Sequence, residues 1–178
     1  MSLEDYLLKN FSPGFIEMAQ LDFGMTDEEL DIEVNFWADY VKDHIPDAYF
    51  GIREIMEKQK ADGGYVCVIS HSFKENILRD YEHNGLPKPD IIYGWEQPPE
   101  RRKPNTWPVE QIIRELGISK RDVVMIDDLK PGYDMAKNAG VDFVAAGWAY
   151  DIPEIQDFMK KHCEYYFKTV NEFKDFLK

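Results

Sequence analysis

Two adjacent carboxylates, Asp127 and Asp128, directly follow the four apolar residues 123–126. Such a run is typical of a strand that is buried on both faces, and parallel α/β sheets carry their chemistry at the carboxyl ends of strands. Two neighbouring acids repel each other unless a cation or a proton lies between them. Because Mg²⁺ prefers one or two carboxylates together with water and phosphate oxygens, the pair predicts a Mg²⁺ site. The alternative is that Asp128 caps the following helix.

Other candidate polar groups also follow apolar runs. Ser70 and His71 come after the apolar stretch 65–69, and Lys103 lies in a loop after a second short stretch. A phosphoryl group in transfer spreads negative charge over its oxygens, so a cation such as Lys103 and a donor such as Ser70 could hold it. Taken alone, Lys103 could equally be a solvated loop lysine, Ser70 a strand-end hydroxyl and His71 a structural histidine. Their common position at strand ends favours a site.

The elements that must position these groups alternate between strands and helices from Tyr65 onward. This alternation predicts the α/β class, with a three-layer α/β/α, Rossmann-like sheet of parallel strands. The strands are predicted to end at Ser70, Tyr93, Asp127 and Ala146, with an edge strand at residues 165–167.

The first 46 residues have a different character, since they are helical in pattern and rich in aromatic side chains. Thr26 and Glu29 have the spacing of a capping box, and so do Ser72 with Glu75 and Thr169 with Glu172. Residues 48–61 predict one further helix. We therefore divide the chain into a partial helical cap, 1–46, and an α/β core, 47–178.

Composition excludes several classes of protein. The net charge of −13 argues against binding to nucleic acid or to an anionic membrane surface. Two cysteines, Cys67 and Cys163, do not suggest a disulfide framework, and no stretch has the length and apolarity of a membrane span or a signal peptide. These features predict a cytoplasmic protein.

The spacing of the candidate residues resembles the motifs of the haloacid dehalogenase (HAD) superfamily of phosphohydrolases, from about Asp47 to the C-terminus. Ser70 matches the second motif, Lys103-Pro104 with Leu116-Gly117 the third, and Asp127-Asp128 with Ala139-Gly140 the fourth. In the family a helix that ends in Ala-Gly follows the fourth motif, and Ala139-Gly140 has the corresponding position here. The match to a spaced set is more specific than any single motif.

The resemblance implies a function and a role for each matching residue. The Asp-Asp form of the fourth motif points to Mg²⁺-dependent phosphatases of small phosphorylated metabolites, which are phosphoric monoester hydrolases that work through an aspartyl-phosphate. Lys103 and Ser70 would act in catalysis and, with His71, in substrate binding. Asp127 and Asp128 would hold the metal. Residues 1–46 look like the mobile cap that such enzymes insert after their first strand.

The first motif of the family, an Asp-x-Asp after an apolar strand, is not found. The nearest mimic is Asp22, but Gly24 stands where the second acid belongs, and the residues before it are too polar for a central strand. The nucleophile is therefore missing, and we expect the chain as written to be inactive or nearly so. A non-catalytic relative that binds phosphate or metal is the alternative. A receiver domain is excluded because too little chain follows Asp128.

The missing motif has a structural consequence. In this fold the first strand lies between the strands that end at Ser70 and Asp127. Without it, those two strands pair directly, another segment takes the position, or the natural protein begins upstream of Met1. We expect the last of these.

Overall fold

The computed structural model describes all residues, 1–178. The helices are α1 Leu3–Phe11, α2 Phe15–Phe23, α3 Asp27–Tyr40, α4 Ile52–Ala61, α5 Lys74–His83, α6 Trp107–Leu116, α7 Lys130–Ala139, α8 Pro153–His162 and α9 Val170–Phe176. The strands are β1 Cys67–Ile69, β2 Ile91–Tyr93, β3 Val124–Asp127, β4 Asp142–Ala146 and β5 Tyr165–Phe167. No helix combines the length and the apolar character that a membrane crossing requires.

All the paired strands are parallel, as the alternation of elements predicts, and the α/β class is confirmed. The strands form two sheets instead of one continuous sheet. One sheet holds β1 and β2, with Ile69 opposite Tyr93, and the other has the order β3-β4-β5, with Asp127 opposite Ala145. The loops and helices between consecutive strands are long enough for the crossovers that parallel pairing needs.

A gap in the hydrogen bonding separates β1 from β3. These strands do not pair with each other, and no other strand of the chain lies between them. Two of the three outcomes left open by the sequence are thereby excluded, and a strand supplied from upstream stays a prediction. The expectation that β3 is buried on both faces is wrong, because Val124 and Ile126 are 50% and 42% exposed. With no neighbour on its free edge, β3 lacks the side chains that would cover them.

The main hydrophobic core lies around the β3-β4-β5 sheet. Met135 and Ala136 of α7 are fully buried against β4, whose Val144 and Ala145 are 1% and 0% exposed. Phe11 of α1 belongs to the same cluster and meets Phe158 of α8 edge to face, with ring centroids 5.2 Å apart. The first helix thus packs on the same core as the sheet. The boundary at residue 46 stays a prediction.

Local signals at the helix ends had mixed success. The capping boxes at Thr26 and Thr169 are present. The one expected at Ser72 is wrong, since α5 begins after Phe73 without a side-chain cap, and Glu96 accepts the hydrogen bond of the Lys74 amide instead. Residues 130–132 form the first turn of α7, where Pro131 needs no intrahelical partner for its nitrogen.

Candidate active site and metal centre

A buried ion pair joins the two sheets at the carboxyl ends of their strands. Lys103 lies in the loop that follows β2, and its Nζ donates to Oδ2 of Asp127, the last residue of β3, over 2.7 Å. The side chains of Lys103 and Asp127 are only 13% and 7% exposed. The structure therefore brings together two of the residues that the sequence singled out, across the gap between β1 and β3.

Both carboxylate oxygens of Asp127 have partners. Oδ1 accepts the backbone N–H of Leu129 over 2.9 Å, while Oδ2 accepts from Lys103. Burial by itself would raise the pKa of Asp127, but the Lys103 ammonium and these hydrogen bonds hold that pKa below its ordinary value. The Asp127 side chain is thus a fixed anion that orients the lysine. Leu129 is the N-cap of α7, so Asp127, not Asp128, binds the amide at that helix start, and the capping alternative for Asp128 is wrong.

Gly132 makes this arrangement possible, although no sequence pattern singled it out. A Cβ atom at position 132 would lie 2.3 Å from Cγ of Asp127. Real atoms do not approach so closely, so any side chain at this place in α7 would displace the carboxylate. The glycine permits the first turn of α7 to pack directly against Asp127.

Asp128 is the more available of the two acids. Its carboxylate has no ion-pair partner among the salt bridges of the chain, and burial, followed by the neighbouring charge of Asp127, raises its pKa to about 6. Tyr150 lies beside it, and burial together with the Asp128 charge raises the pKa of the Tyr150 hydroxyl. A partly buried carboxylate without a cation, next to a second carboxylate, is a site where a divalent cation would relieve the repulsion.

The carboxylates fit a Mg²⁺ ion. The chain has no cluster of three or more His, Cys, Asp or Glu residues arranged to hold a metal, and Asp127 and Asp128 are the two neighbouring carboxylates that could hold one here. Mg²⁺ keeps several waters and takes one or two carboxylates along with substrate phosphate, whereas structural zinc needs four protein ligands. The hard oxygen donors therefore suit Mg²⁺.

His71 contacts the loop that carries Lys103. Its Nε2 lies 3.3 Å from the carbonyl oxygen of Lys103, and its ring meets Trp95 edge to face at 5.8 Å. Burial, followed by the Lys103 charge, lowers the pKa of His71 to about 4. The imidazole is therefore neutral at pH 7, and its bond to the carbonyl requires a proton on Nε2. In this position His71 supports the lysine loop.

Ser70 ends β1 without contacting the ion pair. Its backbone N–H donates to the carbonyl of Tyr93, and its Oγ accepts the N–H of Ser72 over 3.0 Å. No hydrogen bond joins Ser70 to Lys103, Asp127 or Asp128. The hydroxyl hydrogen donates to no protein group, so it is free for a ligand.

Asp22 lies outside this region. It is in the last turn of α2, where its carboxylate pairs with Lys9 of α1. No strand precedes it. The structure thus gives Asp22 a role in joining two helices.

Parallel α/β sheets with a lysine–carboxylate pair beyond their strand ends define a Rossmann-like α/β protein. The family model of the haloacid dehalogenase-like hydrolases matches residues 4–146 of this chain. The chain therefore belongs to the haloacid dehalogenase-like hydrolase family, as the motifs indicated.

Individual relatives agree with the family. Pyrophosphatase PpaX of Halalkalibacterium halodurans is 26% identical over 108 residues, which are 60% of this chain and 50% of that protein. The chain thus spans about half the length of this curated relative. A haloacid dehalogenase-like hydrolase from Streptococcus pneumoniae has a similar structure, with a TM-score of 0.75, 14% identity and coverage of 100% of this chain and 82% of that one.

A predicted phosphoglycolate phosphatase from Haemophilus somnus is a further structural neighbour. Its TM-score is 0.69 at 16% identity, over 86% of this chain and 69% of that one. Likeness at these identities shows a shared fold.

Proposed function

We propose that this chain provides most of a Mg²⁺-dependent phosphatase of small phosphorylated metabolites. The observation that supports this most is the Lys103–Asp127 pair, with Nζ and Oδ2 2.7 Å apart, next to Asp128, whose carboxylate has no ion-pair partner. In this proposal Lys103 binds and neutralises the phosphoryl oxygens, and the free hydroxyl of Ser70 donates to one of them. Neutral His71 holds the lysine loop in place.

The metal adds a second cation to this site. Bound to Asp128 and Asp127, Mg²⁺ would neutralise developing charge on the phosphoryl oxygens. Asp127 is already held in position for a metal ion by its hydrogen bonds. Asp127 keeps one oxygen on the Leu129 amide and shares the other with Lys103, so its position is fixed before substrate arrives. Asp128 would be ionised when the cation is bound.

The attacking carboxylate is proposed to come on an added strand. In covalent phosphoryl transfer an aspartate attacks phosphorus and forms an aspartyl-phosphate, which water then hydrolyses. Beyond Asp127 no aspartate of the chain pairs with Lys103, and β1 and β3 do not pair with each other. We propose that a segment outside the 178 residues, encoded upstream, pairs between these strands and carries the Asp-x-Asp motif.

The test is a phosphatase assay with a generic aryl phosphate and Mg²⁺, on the 178-residue chain and on a longer protein that includes any in-frame upstream segment. The short chain should be inactive or nearly so, because it loses the nucleophile and the general acid–base help, the latter alone worth about 10² to 10⁴ in rate. The longer protein should turn over, and Lys103→Met in it should not. Replacement of its first motif aspartate by asparagine is the matched control.

Two outcomes would count against the proposal. Robust Mg²⁺-dependent turnover by the short chain, abolished by Asp22→Asn, would show that Asp22 is the nucleophile after all. Inactivity of both proteins on a broad metabolite panel would favour the second candidate, a non-catalytic relative that binds phosphate or metal. The observation that favours this candidate is the absence of an Asp-x-Asp motif in the chain.

A further inference from the structure

A small cavity lies beside Asp128, on the side of the β3-β4-β5 sheet. Its volume is about 10 Å³, and its polar walls come from Asp128, Tyr150, Gln156 and Tyr166. That volume is close to the minimum for one ordered water, roughly 10–15 Å³ on the same measure. An apolar cavity of this size would stay empty, but this one has several polar groups around it.

The hydroxyl of Tyr166 is the unusual feature of this cavity. It is buried and has no hydrogen-bond partner, and it is the one buried side-chain polar atom of the chain in that condition. Buried polar atoms nearly always have a partner, because an unsatisfied one has lost its hydrogen bonds to water without replacing them. The hydroxyl therefore calls for a partner that lies in the cavity.

The backbone fixes the hydroxyl in this place. Tyr166 pairs opposite Ala145 in the β4-β5 ladder, and its ring lies on Gly147, just beyond the end of β4. A Cβ atom at position 147 would be 2.4 Å from Cζ and 2.6 Å from the hydroxyl oxygen of Tyr166. Gly147 thus lets the ring pack directly against the backbone, and the strand pairing holds the backbone from which the ring extends.

The opposite wall supplies what the hydroxyl lacks. Asp128 has an acceptor carboxylate with no ion-pair partner, while Tyr166 has a free donor. A single water can accept the hydroxyl hydrogen and donate one of its own to the carboxylate. Gln156 is already engaged at both amide atoms, since its nitrogen donates to Asp151 over 2.9 Å and its oxygen accepts from Lys160 over 3.3 Å.

We propose that this cavity binds one ordered water, which links the Tyr166 hydroxyl to the Asp128 carboxylate. Tyr166 is then a positioning residue, acting through the water to hold Asp128 in the direction of the metal. The water site itself follows from the cavity and the unpaired hydroxyl. Its effect on the metal rests on the proposed function.

Tyr166→Phe tests the water site, with Tyr165→Phe as the matched control. Tyr165 lies on the same strand, but its hydroxyl interacts with Glu164 and not with the cavity. A high-resolution crystal structure should show one water between the hydroxyl of Tyr166 and Asp128, and none in Tyr166→Phe. A cavity without density in the unsubstituted protein would overturn the proposal.

The sign of the stability change gives an independent test in metal-free buffer. If water fills the cavity, Tyr166→Phe removes a satisfied hydrogen bond and should raise the unfolding equilibrium constant about 5-fold, the equivalent of roughly 1 kcal/mol. If the cavity is dry, the substitution removes an unsatisfied hydroxyl, and the protein should become no less stable. Urea unfolding measures this, and Tyr165→Phe should change the constant by less than about 2-fold.

Calorimetric titration with Mg²⁺ alone separates the two parts of the proposal. Tyr166→Phe should weaken Mg²⁺ binding about 10-fold, the usual lower effect of losing an outer partner of a metal ligand, while Tyr165→Phe should not. Equal binding by both variants would overturn the positioning role. Failure of the unsubstituted protein to bind Mg²⁺ would overturn the metal assignment in the proposed function and the positioning role with it, whereas the water site is decided by the density and the stability.

Discussion

The two sheets of the molecule differ in how well their strands are covered. In the β3-β4-β5 sheet, four consecutive residues of β4 are buried, and α7 and α8 pack a large cluster against it. In the β1-β2 sheet every residue is only partly buried. The β3 strand belongs to the first sheet but resembles the second, because its outer edge faces the gap. Coverage thus depends on neighbouring strands as much as on apolar sequence, since β3 and β4 are similarly apolar.

Only side chains connect the two sheets at the site, and Lys103–Asp127 is the buried link. The pair therefore has a structural role in addition to the chemical role that we propose for it. Substitutions that break this link should have the largest effect on the free energy of unfolding. Substitutions that compare β3 with β4 should have the smallest.

Lys103→Met should destabilise the protein by about 3–5 kcal/mol at pH 7. The substitution leaves Asp127 buried without its cation and next to a second carboxylate, and breaking one partner of a buried pair has this typical cost. Lys130→Met is the control, since Lys130 pairs with Asp134 four residues on and both are about one-third exposed. Its loss should cost less than about 1 kcal/mol. Equal urea midpoints for the two variants would mean that the Lys103–Asp127 pair contributes no more to stability than an exposed ion pair.

The raised pKa of Asp128 predicts a pH dependence in metal-free buffer. Its pKa is about 6 in the folded protein and near 3.9 in the unfolded chain, so the folded state binds more protons between these values. Its contribution therefore favours folding below pH 4 and is lost as the pH rises through 6, by about 3 kcal/mol in all. The lowered pKa of His71 has the opposite effect on stability. The folded state resists protonation of this imidazole, so its contribution to folding is lost as the pH falls below about 6.5.

Asp128→Asn isolates this effect from the other titrating groups. The free energy of unfolding of the variant minus that of the unsubstituted protein should increase by about 2 kcal/mol from pH 4 to pH 7.5. Chemical denaturation in the presence of a chelator measures it. A difference that is constant with pH would show that the carboxyl of Asp128 titrates normally, and that its burial beside Asp127 is relieved in solution.

Matched valine truncations test the contrast between the strands. Val144→Ala in β4 removes buried methyl groups and should cost about 1–2 kcal/mol, because each buried methylene contributes about 0.8 kcal/mol and a cavity remains. Val124→Ala in β3, half exposed at the gap, should cost less than about 0.5 kcal/mol. In a longer protein whose added strand covers Val124, the two substitutions should lower the free energy of unfolding by similar amounts. Similar costs already in the 178-residue chain would show that the gap is closed in solution.

The sequence by itself determined the local features. Apolar runs located all five strands to within a few residues, and their alternation with helices required parallel pairing. Strand-end positions identified Ser70, Lys103, Asp127 and Asp128 as candidates, because parallel strands present their carboxyl ends at one edge. Thr26 and Thr169 predicted their helix starts, since a capping box needs only neighbours three residues apart.

The tertiary structure decided what depends on distant neighbours. Packing between segments far apart in the chain decides whether β1 and β3 pair and how far β3 is exposed. It also decides which oxygen of Asp127 accepts from Lys103. The same is true of Gly132 and Gly147, whose lack of a side chain matters because Asp127 and the Tyr166 ring approach them closely. Sequence patterns record the burial and backbone preference of a residue and its near neighbours, whereas a close approach across the fold leaves no periodicity to read.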